Sequence, residues 1–393
     1  MTPVDVATYD AVDVVSYDRL LGTGASRFHR GGPMWPDWDE APFARHWRSD
    51  GPFDARPLEP DATTSLTGAH LFWGGAVCRH FGHQVMDFSM RLASSKAADP
   101  NARFLFSHLP EGTVPRWFNG LLMWFGIDPA HDVLFVDRPL RVDRLHVTPQ
   151  AERLERSGPS PAHLDLMDQL VAQKRLGVEA VRGPVYVSRG GRLIGFAGEK
   201  YIEAAITAAG GHVFRPENYA IGDQVRLYLS AERLVFAEGS ALHLCSLAGR
   251  GFPAIDVVLR RKGWRIGEAF LAPRAQSVRY VDTMHGSIHG TKRPGAPWLS
   301  RAVTVLDLEA TFEYFHAIGL DLRPHWSAQD YTAALSDDID VWLRRELTPN
   351  RLAIEGYTRS VEDSLNASLA PWPAALHRAL ATFAAITSTD SKV

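Results

Sequence analysis

Cysteine is nearly absent: the 393 residues carry only Cys78 and Cys245. Two thiols are too few for a disulfide framework or a thiolate metal site, and their apolar surroundings predict core packing for both. An excess of charge is lacking too. A net charge of −3 argues against a dedicated nucleic-acid or anionic-membrane surface. No stretch approaches the roughly 18 uninterrupted apolar residues of a membrane span. The opening "MTPVDVATYD" has acids where a secretory leader needs bases before an apolar run. These features lead us to expect a soluble, cytoplasmic chain without a transmembrane segment. Solenoid repeats and low-complexity tracts are also missing. What remains is an ordinary composition, 45% apolar and 22% charged, in a chain long enough for two domains with separate cores.

Two stretches alternate strand-like and helix-like segments. The first runs from "AHLFWGG" (69–75) through a helix at 82–94, "ARFLFS", a helix at 115–125 and "HDVLFVD" (131–137). The second runs from "GPVYVSR" (183–189) through helices near 199–209 and 223–230, the strand "RLVFA", a helix from about 240 and the strand "AIDVVL". Short apolar runs separated by amphipathic helices imply crossover connections and a parallel sheet in each half. The expected architecture is α/β, two facing Rossmann-like domains with a helical C-terminal extension. Its expected parts are an N-terminal arm over 1–65, a first domain over 66–160, a second over 161–275 and the extension over 276–393. The polar, proline-bearing "QAERLERSGPSPAH" (150–163) suits a linker between the two domains.

In the second half, "RLVFAEGSALHLCSLAG" (233–249) places Glu238, Gly239 and Ser240 where a strand gives way to a helix. In open α/β sheets that edge binds ligands, because free N–H groups and the positive dipole end of the helix favour a phosphate. Gly239 admits close approach, Ser240 can cap the helix or bond a phosphate oxygen, and Glu238 can reach a ribose hydroxyl. An ordinary βα turn capped by Ser240 reads the same residues equally simply. A hydrolase elbow does not fit, since "AEGSA" lacks the first glycine of G-x-S-x-G. A second cluster, "YVSRGGRLIGFAGEKY" (186–201), sets Ser188 and Arg189 at another strand end. Arg189 can grip a diphosphate in bidentate fashion, and Lys200 can add a point charge. This glycine loop matches neither the dinucleotide fingerprint nor a Walker A loop.

In the first half, "CRHFGHQVMDFSMRL" (78–92) sets His83, Asp87 and Arg91 four apart on one face of a helix. His83 or Asp87 can act as a general base with the other as orienter. A solvent-facing stripe, an ion pair and a helix cap by His80 are competing explanations. His80, His83 and Asp87 also have metal-compatible spacing, without a fourth partner in sequence. The acids of "DDID" (337–340) fit a solvated helix face. The loop "MHGSIHGTKRPGAP" (284–297) reads as a surface loop or as a lid that contacts an acceptor.

The order "SR", "GEK", "RPENYAIGDQ" and "LVFAEGSALH", with a "GH...D"-like segment upstream, resembles glycosyltransferase family 61 over about residues 70–260. The resemblance implies a GT-B fold and an inverting transfer of sugar from a nucleoside diphosphate, UDP first among them, to a glycan hydroxyl in capsular or surface polysaccharide synthesis. It also implies Arg189, Glu199, Glu217, Gln224, Gly239, Ser240 and Leu242 as donor-side positions, with Lys200, Glu238 and His243 beside them. Catalysis is expected of His83 and Asp87, with no metal and no cofactor. The expected partners are the nucleotide-sugar donor and the glycan acceptor, not nucleic acid. The family pattern often has a histidine before the glycine and an asparagine after the helix start, where this chain has Glu238 and Leu244. Those departures suit an alternative, a catalytically silent nucleotide-sugar-binding subunit of a polysaccharide assembly complex. A hydrolase using Ser240 is a third reading.

Overall fold

The computed structural model describes residues 5–21, 28–36, 38, 45–48, 51–52, 54–61, 63–108, 113–153, 157–177, 179–190 and 195–389. Residues 191–194, within the glycine loop after Arg189, lie outside the described residues. The first sheet has seven strands: β1 (Ala7–Leu21), β2 (Phe28–Pro33), β3 (Asp54–Ala55), β4 (Thr64–Val77), β5 (Arg103–His108), β6 (Val133–Val136) and β7 (Leu140–Val147). Their spatial order is β3-β2-β1-β7-β4-β5-β6.

Strands β4 to β7 run parallel, whereas β1 lies antiparallel to β7 and β2 antiparallel to β1. The wholly parallel sheet expected in this half is therefore a mixed one. The far end of β1 returns to β5 and β6, where the Tyr17 N–H donates to Ser107 Oγ (3.1 Å) and Ser16 Oγ to the Val136 carbonyl (3.0 Å). The sheet thus curls around a core of Val12, Val14, Trp73, Leu105, Val142 and Leu145. Strands β1 to β3 come from the stretch expected as an arm.

The second sheet is wholly parallel: β8 (Val181–Val187), β9 (His212–Phe214), β10 (Ala231–Ala237), β11 (Phe252–Val258) and β12 (Ala275–Val281), in the order β9-β8-β10-β11-β12. Side chains alternate between its faces, as the period of two requires. Val185, Val187, Leu234, Phe236, Ile255 and Val257 join a core shared with the first half. Tyr186, Val235, Ala237 and Val258 face a separate core built with the C-terminal helices. Burial on both faces explains why these strands read as near-continuous apolar runs.

The connecting helices are α1 (Leu92–Ala98), α2 (Arg116–Trp124), α3 (Pro161–Gln173), α4 (Glu199–Ala208) and α5 (Ile221–Ser230). The C-terminal part adds β13 (Met284–Ile288), antiparallel to β14 (Val303–Leu306), and helices α6 (Leu308–Ala317), α7 (Ala328–Glu346), α8 (Tyr357–Leu369) and α9 (Pro373–Thr389). Both cysteines are buried and outside any disulfide, as core packing predicts. Among the described residues no helix is long and apolar enough to cross a membrane.

Two expected helices differ in kind. The segment at 82–94 is not one helix: a single turn at Phe81–His83 widens into a π-helical turn at Gln84–Phe88, and the chain breaks before α1. The buried Gln84 amide accepts from the Cys78 N–H (2.8 Å) and donates to Ser89 Oγ (3.2 Å), tying both ends of the wide turn together. The segment after Gly239 is a 3₁₀ helix, Ser240–Leu247, in which Leu242 to Leu247 are all buried. With no face in solvent it is not the amphipathic α-helix that the spacing suggests.

The linker is also anchored rather than loose. Glu152 is wholly buried and receives a two-pronged ion pair from Arg274, also wholly buried, with His163 Nε2 3.3 Å from its carboxylate. Across the same junction, Trp124 Nε1 donates to the Leu247 carbonyl at 2.8 Å.

Candidate functional site

The order of the second sheet reverses between β8 and β10, the topological switch point at whose carboxyl edge open α/β sheets bind ligands. The chain leaves β8 at Ser188 and Arg189 and leaves β10 at Glu238 and Gly239. These segments touch. Gly239 has an extended backbone, so its conformation does not demand glycine. Close approach does: a Cβ there would stand 1.8 Å from Arg189 Nη1, because the guanidinium lies across the glycine.

Behind Arg189 is a buried acidic network. The Arg189 N–H donates to Glu199 Oε1 (2.8 Å), as does Tyr186 Oη (3.0 Å), and Ser188 Oγ bonds Glu203, which in turn pairs with Arg215. Glu199 at the start of α4 therefore orients the backbone of Arg189. Burial pushes its carboxyl up to about 7; the Arg189 N–H and Tyr186 hydroxyl oppose that shift, and the charge on Glu203 adds to it. The unfolded carboxyl ionises near 4.5. The folded chain then holds the extra proton between those values, and the associated stability, complete at low pH, is lost as pH rises through about 7. Denaturation at about pH 5 and pH 8 is expected to show this loss in the wild type and a flatter dependence in Glu199→Gln. Equal slopes would refute it.

Glu238 does not stand open to a ribose. It is wholly buried, accepts from the Arg260 and Arg261 N–H groups (2.7 and 3.0 Å), and pairs with the Arg261 guanidinium. Its role in this structure is to fix the turn after β11. That turn brings Arg260 to the same edge, its guanidinium donating to the Ala302 carbonyl (3.2 Å). Arg260 Nε has no hydrogen-bond partner among the described residues. Burial, and then the positive charge of Arg189, push the Arg260 guanidinium down to about 9. Arg189 and Arg260 thus place two positive charges at one strand edge, an arrangement that suits an anion. The signal for Arg260 and Arg261 was present in "DVVLRRKGWR", whose arginines follow a strand just as Arg189 does.

The first half supplies the opposite wall. His83 Nδ1 lies 2.9 Å from Asp87 Oδ2; Asp87 is 3% exposed and the His83 side chain 27%. With Nδ1–H assigned to the carboxylate, Nε2 carries the ring's lone pair. The His80 ring packs on His83, 4.3 Å between centroids. Arg91 does not join this pair as a surface stripe would: it is fully buried and donates to the Arg45 carbonyl at 2.6 Å. His80, His83 and Asp87 do not assemble a metal-ligand group, and no other trio of His, Cys, Asp or Glu does so among the described residues.

The two walls meet at Gly82. A Cβ there would stand 2.8 Å from His243 Cδ2 and 3.2 Å from Ser240 Cβ. The structure therefore brings His83 and Asp87 beside Gly239, Ser240 and His243, with Arg189 lying across Gly239. His243 is buried; that burial, and then the charges of His83 and His80, push its imidazole down to about 3 and keep it neutral.

The remaining expected residues lie farther out. Gln224 is buried and holds the Tyr219 carbonyl through Nε2 (2.9 Å), while Glu217 is exposed on a short 3₁₀ turn. Lys200 is exposed and lines a separate open cavity of about 300 Å³ with Glu203, Arg215 and Tyr219.

An anion-seeking edge facing a carboxylate-held imidazole is equipped for displacing a phosphorylated leaving group with proton removal from the attacking group. No curated protein matches the chain. Residues 81–253, which contain every expected site residue, match the family model described as Glycosyltransferase 61, and this match supports a glycosyltransferase enzyme that acts on a sugar donor and an acceptor.

Proposed function

We propose that this glycosyltransferase is inverting, of the facing two-domain GT-B type, and moves a sugar from a nucleoside diphosphate, UDP in the first place, to a glycan hydroxyl in polysaccharide synthesis. The observation that carries the proposal is the meeting of Arg189 and Arg260 at the switch-point edge with the His83–Asp87 pair across Gly82. In this reading the acceptor oxygen attacks the anomeric carbon while its proton passes to His83 Nε2. The bond from that carbon to the diphosphate breaks on the opposite face. The two guanidinium groups stabilise the departing charge, which is where electrostatic preorganisation contributes most. Asp87 holds the imidazolium that forms.

Arginine supplies the counter-charge in this scheme, so transfer is expected to persist in EDTA. Arg189→Ala is expected to weaken UDP binding by about 1.5–3 kcal/mol, the range for hydrogen bonds to a charged group. Calorimetric titration with UDP and a transfer assay with and without chelator check both. Unchanged UDP affinity in the folded variant removes Arg189 from the site. Loss of transfer in EDTA, restored by manganese, removes the metal-free scheme. Donor binding with no transfer to any acceptor favours the silent binding subunit.

A further inference from the structure

The hairpin region that follows β13 encloses, with the start of α8, an open cavity of about 600 Å³. It lies outside the stretch that matches the family model and outside the site described above. Its size is that of an organic-ligand pocket, and its walls are stitched together. The His289 N–H donates to Ser364 Oγ (3.0 Å), and Thr291 Oγ1 donates to the Ala296 carbonyl (2.8 Å). Gly290 sits so close to the Tyr357 ring that a Cβ would come within 2.2 Å of it. The cavity is thus pre-formed rather than opened by its ligand.

Three charged side chains of mixed sign line it: Glu355, Arg359 and Asp363. None of them enters a side-chain hydrogen bond or ion pair among the described residues. Two carboxylates against one guanidinium disfavour a phosphate, and the charged rim does not suit an apolar ligand. Carboxylates that accept and a guanidinium that donates, alongside Ser360 and His289, match the alternating donors and acceptors of a neutral polyhydroxyl chain. The position fits as well. Pro297, on the cavity wall, is two residues from Leu299, whose carbonyl accepts from Arg260 Nη1 at 3.4 Å. Two residues of chain span at most about 7 Å, so the cavity rim lies beside the diphosphate edge.

We propose that this cavity binds a hydroxyl-rich oligosaccharide, a segment of the acceptor glycan held apart from the transfer centre; this rests on the transferase reading above. The test exposes an array of short neutral oligosaccharides to the intact protein, to the Arg359→Ala/Asp363→Ala double variant and to Glu355→Ala, with UDP affinity measured on each. Wild type is expected to retain at least one oligosaccharide, and both variants to lose at least about tenfold of that retention, with UDP affinity and unfolding midpoint unchanged. Should the double variant unfold, Glu355→Ala alone decides. Absence of any retained oligosaccharide, or equal retention by the variants, overturns the proposal. Oligosaccharide retention without UDP binding would instead sink the donor assignment and leave the cavity standing.

Discussion

His83→Ala is expected to lower the rate of sugar transfer by about 10²–10⁴-fold, the contribution of a positioned general base, while leaving UDP affinity within about twofold, because the residue acts in the transition state. The expectation follows from the placement of the histidine. Its ring is partly exposed, with Nδ1 2.9 Å from a buried carboxylate, and it belongs to the wall opposite Arg189. Asp87→Asn is expected to lose a smaller share of the rate, since an amide can still bond the ring but cannot stabilise the imidazolium. Measuring turnover and UDP affinity side by side on folded variants decides the matter. Wild-type turnover in His83→Ala would make the pair structural.

The other large effect concerns stability. Arg274→Ala is expected to cost about 3–5 kcal/mol, because it leaves the wholly buried Glu152 carboxylate without its guanidinium partner. Its carboxyl is held below the usual glutamate range, despite burial, by His163 and Arg274. Replacing both partners together, as Glu152→Leu/Arg274→Met, is expected to recover most of the loss, since removing a buried pair whole costs far less than breaking it. Urea denaturation of both variants checks this. A wild-type midpoint for Arg274→Ala would show the junction to be hydrated.

The strands of the second sheet were legible because burial on two faces leaves nearly continuous apolar runs: "YV" of β8, "LVF" of β10 and "IDVV" of β11, interrupted only by Asp256, all fall in strands. Strand β1 was not. Its alternation is interrupted at Ala11, whose backbone is left-handed (φ 54°), and the register shifts again between Val15 and Arg19, so the period breaks before it can be recognised. The helix at 82–94 failed for a related reason. Spacing of three and four marks a face, but it does not register a buried amide such as Gln84 that reorganises the turn. Among the site residues, the His83–Asp87 contact was readable, since four residues on a helical turn bring two side chains together. The role of Glu238 was hidden, because its partner lies twenty-three positions away and only the adjacency of β10 and β11 brings them together. Lys200 was expected to add a point charge beside Arg189 in the same motif. One residue past the start of a helix, however, its side chain is directed to another side of the molecule.

At Gly82 the backbone of one half packs directly on the His243 ring and the Ser240 Cβ of the other, with no side chain of its own between them. In the proposed transfer, the gap between His83 and Arg189 depends on how closely that backbone approaches. Every larger residue at that position would act as a shim, widening a gap that, in the proposed transfer, an attacking oxygen must bridge in a single step. Reach, a property usually ascribed to long side chains, is here determined by a missing methyl group.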